Sequence, residues 1–301
     1  MNPFYREYSD YLAGRFEGKV QKITIDTGAV CPNRDGTLGH GGCVYCSNDA
    51  FSPGTSRRES VAIQIEEGKR FFARKYPAMR YLAYFQSHTA THAGAEVFMA
   101  QVEEAAAVPG VAGIIVGTRP DCMPQNLLDR LAQFNRTHMP VMIEYGMESA
   151  CDATLARVNR CHTHGCTVDA VTRTAAAGID CGVHLIFGLP GEDRSTMLAS
   201  VEAVNHLPVS FVKFHQLQIV RGTQLAHAVA EGKESASVFG LDDYIELCCD
   251  VIDLLRKDIA IDRFTAQCPP GMLLAPNWGI KNHEFTAILH RRLKELASSR
   301  R

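Results

Sequence analysis

The chain reads as an α/β protein whose parallel sheet curls into a partial (βα)6 barrel. Short apolar, β-branched runs alternate with helical patterns six times along the sequence, and such alternation implies parallel strands joined by helical crossovers. The natural twist of the strands and the right-handed crossover then bend the sheet, leaving the helices outside. A chain of 301 residues is long enough to bury one substantial core.

The first strand is expected at Val20–Ile25, followed by a helix at Val61–Arg74. The next four units pair Tyr81–Phe85 with Ala95–Ala107, Val111–Val116 with Gln125–Phe134, Val141–Tyr145 with Ala170–Ala177, and Val183–Phe187 with Ser195–His206. The sixth is Phe211–Ile219 with Thr223–Ala230. Strand residues are β-branched or aromatic, and the helical stretches repeat their apolar positions every three to four residues. Beyond residue 235 the pattern changes. An amphipathic helix at Leu241–Lys257 and a short run at Ile261–Ala266 are expected to close or cap the barrel. A Gly- and Pro-rich loop at Pro269–Gly279 leads to a final helix at His283–Ala297. We expect a single domain over residues 1–301, with the barrel at about 19–235 and a helical and loop extension at about 236–301.

Hydrophobic residues make up 46% of the chain and charged residues 21%, the balance of an ordinary globular protein rather than a disordered one. No apolar run approaches the roughly 18 residues needed to cross a bilayer. The formal charge of −2 rules out a global basic footprint for nucleic acid. Local basic groups at Arg57 and Arg58, at Lys69, Arg70, Arg74 and Lys75, and at Arg291, Arg292, Lys294, Arg300 and Arg301 read as solvated helix faces. Eleven cysteines, two of them the adjacent Cys248 and Cys249, and the lack of a basic-apolar leader suit a reducing cytoplasm.

Three of those cysteines define the chemistry. Cys31, Cys43 and Cys46 share one Gly-rich stretch, CPNRDGTLGHGGCVYC. Thiolates favour zinc, copper(I) or iron–sulfur clusters. A four-iron cluster held by three of them keeps one iron open to a small molecule. Gly36, Gly39, Gly41 and Gly42 are expected to let the loop wrap back at positive φ. No second C-x2-C pair occurs, which argues against a zinc ribbon. His40 could instead complete a four-ligand zinc site.

The stretch IDTGAVCPNRDGTLGHGGCVYCSN resembles the cluster loop of the radical S-adenosylmethionine (SAM) enzymes, in the YhcC/YtqA-like branch related to the Elongator catalytic subunit. In that branch the spacing is C-x11-C-x2-C, and this sequence matches it. The resemblance implies a TIM-like radical SAM barrel, a [4Fe-4S] cluster on Cys31, Cys43 and Cys46, and SAM as second cofactor, with Tyr45 beside the adenine. In barrel enzymes the site lies at the carboxyl ends of the strands, so the residues after each run become candidates. After the second strand, Gln86 and Thr89 are the expected contacts to the methionyl amino group, ahead of His88 and His92. After the third, Gly117–Asp121 resembles a TRPD turn, in which Arg119 and Asp121 form a structural pair or touch substrate. After the fourth, Glu148 and Ser149 would approach the SAM ribose. Arg160 would pair with the SAM carboxylate, unless Glu144 is its partner instead. After the fifth, the resemblance to HLIxGLPGE places Gly188 against ligand and Ile186 or Phe187 in the adenine slot. His215 on the sixth could face substrate.

The implied reaction is reductive cleavage of SAM followed by hydrogen abstraction, fed by a one-electron donor such as flavodoxin or ferredoxin. The relatives point to tRNA wobble-uridine modification, with Tyr5, Tyr8, Tyr11 and Trp278 as bases' stacking partners or as packing residues. A small-molecule substrate and a zinc-stabilised RNA-binding protein are the rival readings. Cys161, His162, His164 and Cys166 raise the question of a second metal, against the plainer reading of small apolar thiols at a helix end.

Overall fold

The computed structural model describes residues 2–47, 50, 59–74, 79–236, 238–269 and 271–299. Arg57, Arg58, Lys75, Arg300 and Arg301, named above as solvated, lie outside them.

Seven strands form one sheet with every neighbouring pair parallel. They are β1 (Val20–Ile25), β2 (Arg80–Phe85), β3 (Val111–Thr118), β4 (Val141–Glu148), β5 (Asp180–Phe187), β6 (Phe211–Gln216) and, entering after a two-residue β7 (Ile219–Val220), β8 (Ala260–Ile261). The spatial order is β1-β2-β3-β4-β5-β6-β8, so the expected six-strand half-barrel gains a short seventh strand at its open side. β7 leaves this sheet to pair antiparallel with β9 (Leu273–Ala275). The expected single run Phe211–Ile219 is therefore broken, because the Leu217 N–H turns to Phe187 O and the Gln216 and Gln218 amides bind Ala266 O.

Ten helices are described. A short α1 (Tyr8–Ala13) precedes β1; α2 (Val61–Ala73), α3 (Ala95–Ala107) and α4 (Gln125–Thr137) follow the first three strands. Next come α5 (Asp152–Arg157), α6 (His164–Ala176), α7 (Arg194–Asn205), α8 (Gln224–Ala230), α9 (Leu241–Leu254) and α10 (Asn282–Ser299). α6 starts six residues before the expected Ala170, because the Thr163 hydroxyl caps it by accepting from Cys166 N.

Strand alternation sorts the core into layers. Outward residues such as Ile25, Phe85, Val116, Ile143, Val183 and Phe214 pack against the helices. Inward residues Leu82, Ile115, Met142 and Phe211 meet Tyr8, Tyr11 and Phe16 of the N-terminal segment, which plug the amino end of the barrel. Tyr8 and Tyr11 are thus interior residues, not stacking platforms for a base. Trp278 stacks on Phe285 and its indole N–H donates to Phe239 O. Tyr5 lies edge-on to Phe264 with its hydroxyl at His290. All four are packing residues, because burying large aromatic surface outweighs leaving it in water.

Candidate functional site

The cysteine loop follows β1 and is built from its own backbone outwards. Cys31 O accepts from Arg34 N (2.8 Å), Gly42 N donates to Asn33 O (2.8 Å), and Cys46 N donates to Cys43 O (3.0 Å). Gly36, Gly41 and Gly42 adopt φ of 92°, 79° and 78°. Gly39 departs from the expectation: it has no positive φ, and is needed because a Cβ there would collide with the Asn33 amide. The far side of the loop is held by Asn159, itself at φ 55°, whose amide donates to Gly42 O at 2.9 Å. Val44 N donates to Val158 O, and Leu225 N to Val44 O.

This loop forms one wall of a cavity of about 350 Å³ at the carboxyl ends of the strands. Cys31, Cys43 and Cys46 all line it, as do Tyr45, Gln86, Thr89, Glu148 and Arg160. Ser149 and Gly188 are not brought to the wall. The Ser149 hydroxyl donates to Glu192 at 2.5 Å, and Gly188 is buried with its N–H at the Met197 sulfur. Ile186 lines the cavity while Phe187 points into the outer core. His88 lines it too, at φ 51°, whereas His92 turns to Asp35 at 2.7 Å.

The electrostatics of the wall centre on arginines. Arg160 is buried; Nη1 stands 3.7 Å from Cys43 Sγ, Nη2 donates to Gly146 O at 2.6 Å, and Glu148 Oε1 is 3.4 Å away. Burial opposes its charge, but the Cys43 thiol, Tyr45 and Glu148 hold its pKa well above normal. Gly146 must lack a side chain here, since a Cβ would meet Glu148 Oε1 at 2.5 Å and Arg160 Nη2 at 2.6 Å. Burial raises the Glu148 carboxyl against the pull of Arg160. Arg119 binds Asp121 through two bonds of 2.9 and 2.7 Å and also donates to Arg160 O. Arg34 donates to Cys46 O.

Several buried polar atoms on this wall have no hydrogen-bond partner among the described residues: Tyr45 OH, Thr89 Oγ1, Arg119 Nη1, Arg160 Nε and Gln218 Oε1. Such groups carry a desolvation penalty unless something bonds them. Their collection on one surface marks it as a ligand face.

Below this rim lies a charged layer that the sequence barely announces. Glu144 is fully buried and does not pair with Arg160. It accepts from Lys22 Nζ (3.1 Å), Tyr84 OH (2.5 Å), His184 Nε2 (2.9 Å) and Lys213 Nζ (2.7 Å). Asp262, just after β8, completes the network with Lys22 at 2.8 Å and Lys213 at 3.4 Å, tying β1 to the opposite edge. Despite burial, the two lysines hold the Glu144 pKa far below normal. Burial lowers Lys213 to about 8. Only strand periodicity could have signalled this: Lys22, Tyr84, Glu144, His184 and Lys213 all occupy inward positions.

Among the described residues no group of three or more His, Cys, Asp or Glu is gathered to hold a single metal ion. Cys161 is exposed and lies against Asn33 Oδ1 at 3.1 Å, while His162 Nδ1 lies at Thr163 O. The His40 ring lies over Gly36. No helix among the described residues is long and apolar enough to cross a membrane.

A family model described as the Radical SAM superfamily matches residues 29–204, and one described as the Radical SAM C-terminal domain matches 209–295. Uncharacterized protein YtqA of Bacillus subtilis is 34% identical over 298 residues, covering 98% of this chain and 91% of its own. Protein YhcC of Escherichia coli K12 is 35% identical over 267 residues, covering 89% and 85%. Among solved structures, the archaeal Methanocaldococcus infernus Elp3 superposes with a TM-score of 0.68 at 12% identity, covering 94% of this chain and 64% of that one. Methylornithine synthase (PylB) gives 0.54 at 11% identity, covering 93% and 82%. The fold, the cysteine-lined cavity and these matches agree: the chain belongs to the radical SAM superfamily, whose members use SAM and an iron–sulfur cluster.

Proposed function

We propose that the chain is a radical SAM enzyme that holds a [4Fe-4S] cluster on Cys31, Cys43 and Cys46, binds SAM beside it, and modifies the side chain of the wobble uridine of tRNA. The observation that carries the cofactor reading is the convergence of three thiols and several unpartnered buried polar atoms on one cavity. The donor set fits the group: three soft ligands leave one iron free, and no fourth cysteine lines the cavity among the described residues. When bound, the cluster and SAM together supply a 5′-deoxyadenosyl radical by one-electron cleavage of the sulfonium bond.

The chain's own residues do the rest. N–H groups of Arg160 and Asn33 stand 3.7 Å from the Cys43 sulfur, where donors to sulfur raise a cluster's potential and orient the ligand. Glu148 can accept from ribose hydroxyls, and the unpartnered Thr89 Oγ1 and Arg160 Nε would hold the methionyl end of SAM. Tyr45 packs with Val158, Leu189 and Ile186, an apolar slot for the adenine. The aromatic plug beneath the barrel excludes water from the amino end. A flavodoxin or ferredoxin supplies the electron, in a cytoplasm that suits eleven free thiols.

The tRNA assignment is supported by the resemblance to the Elongator catalytic subunit and by the likeness of fold to Elp3. A small-molecule substrate is the second reading, favoured by the packing of Tyr8, Tyr11 and Trp278 and by the cavity's modest volume. Anaerobic reconstitution should give iron and sulfide in equal amounts, and dithionite with SAM should release 5′-deoxyadenosine. Zinc alone with no cleavage would overturn the cofactor reading and favour the zinc-stabilised RNA-binding protein. Nucleosides of tRNA from cells with and without the protein should differ at the wobble uridine; identical profiles would move the assignment to a metabolite.

A further inference from the structure

Four arginines line the cavity. Arg119 has Asp121, Arg160 has Glu148, and Arg34 lies beside the cysteine thiols. Arg263 has none of these. Among the described residues no carboxylate pairs with it; its Nη2 reaches only the His215 ring, at 3.4 and 3.5 Å from the two nitrogens, and its buried Nε has no partner. Its backbone carbonyl is fixed to β6 by Phe214 N at 2.9 Å.

The surroundings make this cation a receptor rather than an accident of packing. The layer beneath contains three cations, Lys22, Lys213 and Arg263, against two carboxylates, Glu144 and Asp262. Both carboxylates are already committed to the lysines, so one positive charge is unmatched, and an unpaired charge that is half-buried is poorly compensated by water. His184 and His215 stand beside it with ring centroids 5.7 Å apart, and both line the cavity. Burial, with neighbouring cations adding to it, keeps both imidazoles neutral at pH 7; the single N–H of His184 is given to Glu144, which leaves His215 as the imidazole with an N–H to donate. In register, His184 lies level with Gly146 and His215 with Ile186, so Arg263 and His215 face the same cavity from the β6 and β8 side, across from Glu148 and Arg160 on the β4 side.

We propose that Arg263, with His215, forms a subsite for a carboxylate of the substrate or co-substrate. A guanidinium fork matches a planar carboxylate in two parallel bonds. A single negative charge would balance the layer, whereas a phosphate dianion would leave it negative beside Glu144. This rests on the reading that the substrate enters the same cavity as SAM. It adds that the molecule is anionic and held at its charged end.

The test uses the full chain and trifluoroacetate as a fluorine NMR probe, with acetate and inorganic phosphate as competitors and with iron content and SAM binding measured on every sample. Wild type is expected to broaden the probe saturably, and Arg263→Gln to weaken this at least tenfold while retaining iron and SAM binding. Arg263→Lys, which keeps the charge without the fork, should fall between. If Arg263→Gln does not fold, His215→Phe supplies the same comparison with an expected loss of severalfold. Equal broadening by wild type and variants, or no broadening by wild type, would overturn the subsite. Phosphate displacing the probe at lower concentration than acetate does would overturn its assignment to a carboxylate. Probe binding that depends on Arg263 in a chain that takes up neither iron nor SAM would leave the subsite standing and remove the radical SAM chemistry beneath it.

Discussion

Replacing Glu144 by glutamine should destabilise the chain more than almost any other isosteric change in it. The carboxylate is fully buried and accepts four bonds, two of them from lysines at 3.1 and 2.7 Å. The amide keeps the shape and can still accept from Tyr84, but it leaves Lys22 and Lys213 sharing Asp262 alone and turns an N–H group towards cations. Breaking one partner out of a buried ion network costs about 3–5 kcal/mol. For a chain of this size that corresponds to a fall in Tm of roughly 6–10 °C, at about 2 °C per kcal/mol. Urea titration followed by circular dichroism, with a thermal melt alongside, measures it. Adding Lys213→Met should cost less than the sum of the single changes by about 1 kcal/mol or more, since the second change removes the stranded cation. A Glu144→Gln variant within about 1 kcal/mol of wild type, or strict additivity in the double variant, would refute the view that the barrel interior is set by paired buried charge.

Acid should weaken the fold through the same layer. Burial, with Lys213 adding to it, lowers the His184 pKa from 6.5 to about 4, so between those values the unfolded chain binds a proton that the native chain refuses. Stability therefore falls as pH falls from 6.5 to about 4, by up to about 3 kcal/mol from this histidine. The depressed Glu144 adds a further loss below its unfolded value of 4.5; urea midpoints at pH 7, 6 and 5 should show a shallower slope for His184→Gln. Alanine at Cys31, Cys43 or Cys46 should each abolish iron retention and SAM cleavage, read by iron analysis and nucleoside chromatography, while Cys161→Ala should leave both intact. Tyr45→Phe removes a buried hydroxyl that has no partner, and should stabilise the metal-free chain by about 1 kcal/mol in a thermal melt.

The amino-acid sequence carries the alternation of strand and helix locally, because period-2 and period-3.6 patterns are local and each unit has to bury its own apolar face. It also determined the cysteine loop, since the spacing of Cys31, Cys43 and Cys46 is carried within sixteen residues. Tertiary structure alone decided what meets inside the barrel. Lys22, Glu144, Lys213 and Asp262 sit on four different strands or strand ends, and no local pattern says that they share one layer. The same is true of Tyr8 and Tyr11, whose aromatic rings suggest a stacking surface until the N-terminal segment is seen to plug the barrel. Ser149 and Gly188 fall within a recognisable motif yet lie behind the cavity wall, because a one-residue step along a strand or turn reverses which side a group faces. Patterning fixes which residues are buried; only the closing of the sheet fixes which inward charges find one another, and it brings Arg263 to the cavity with no carboxylate beside it among the described residues.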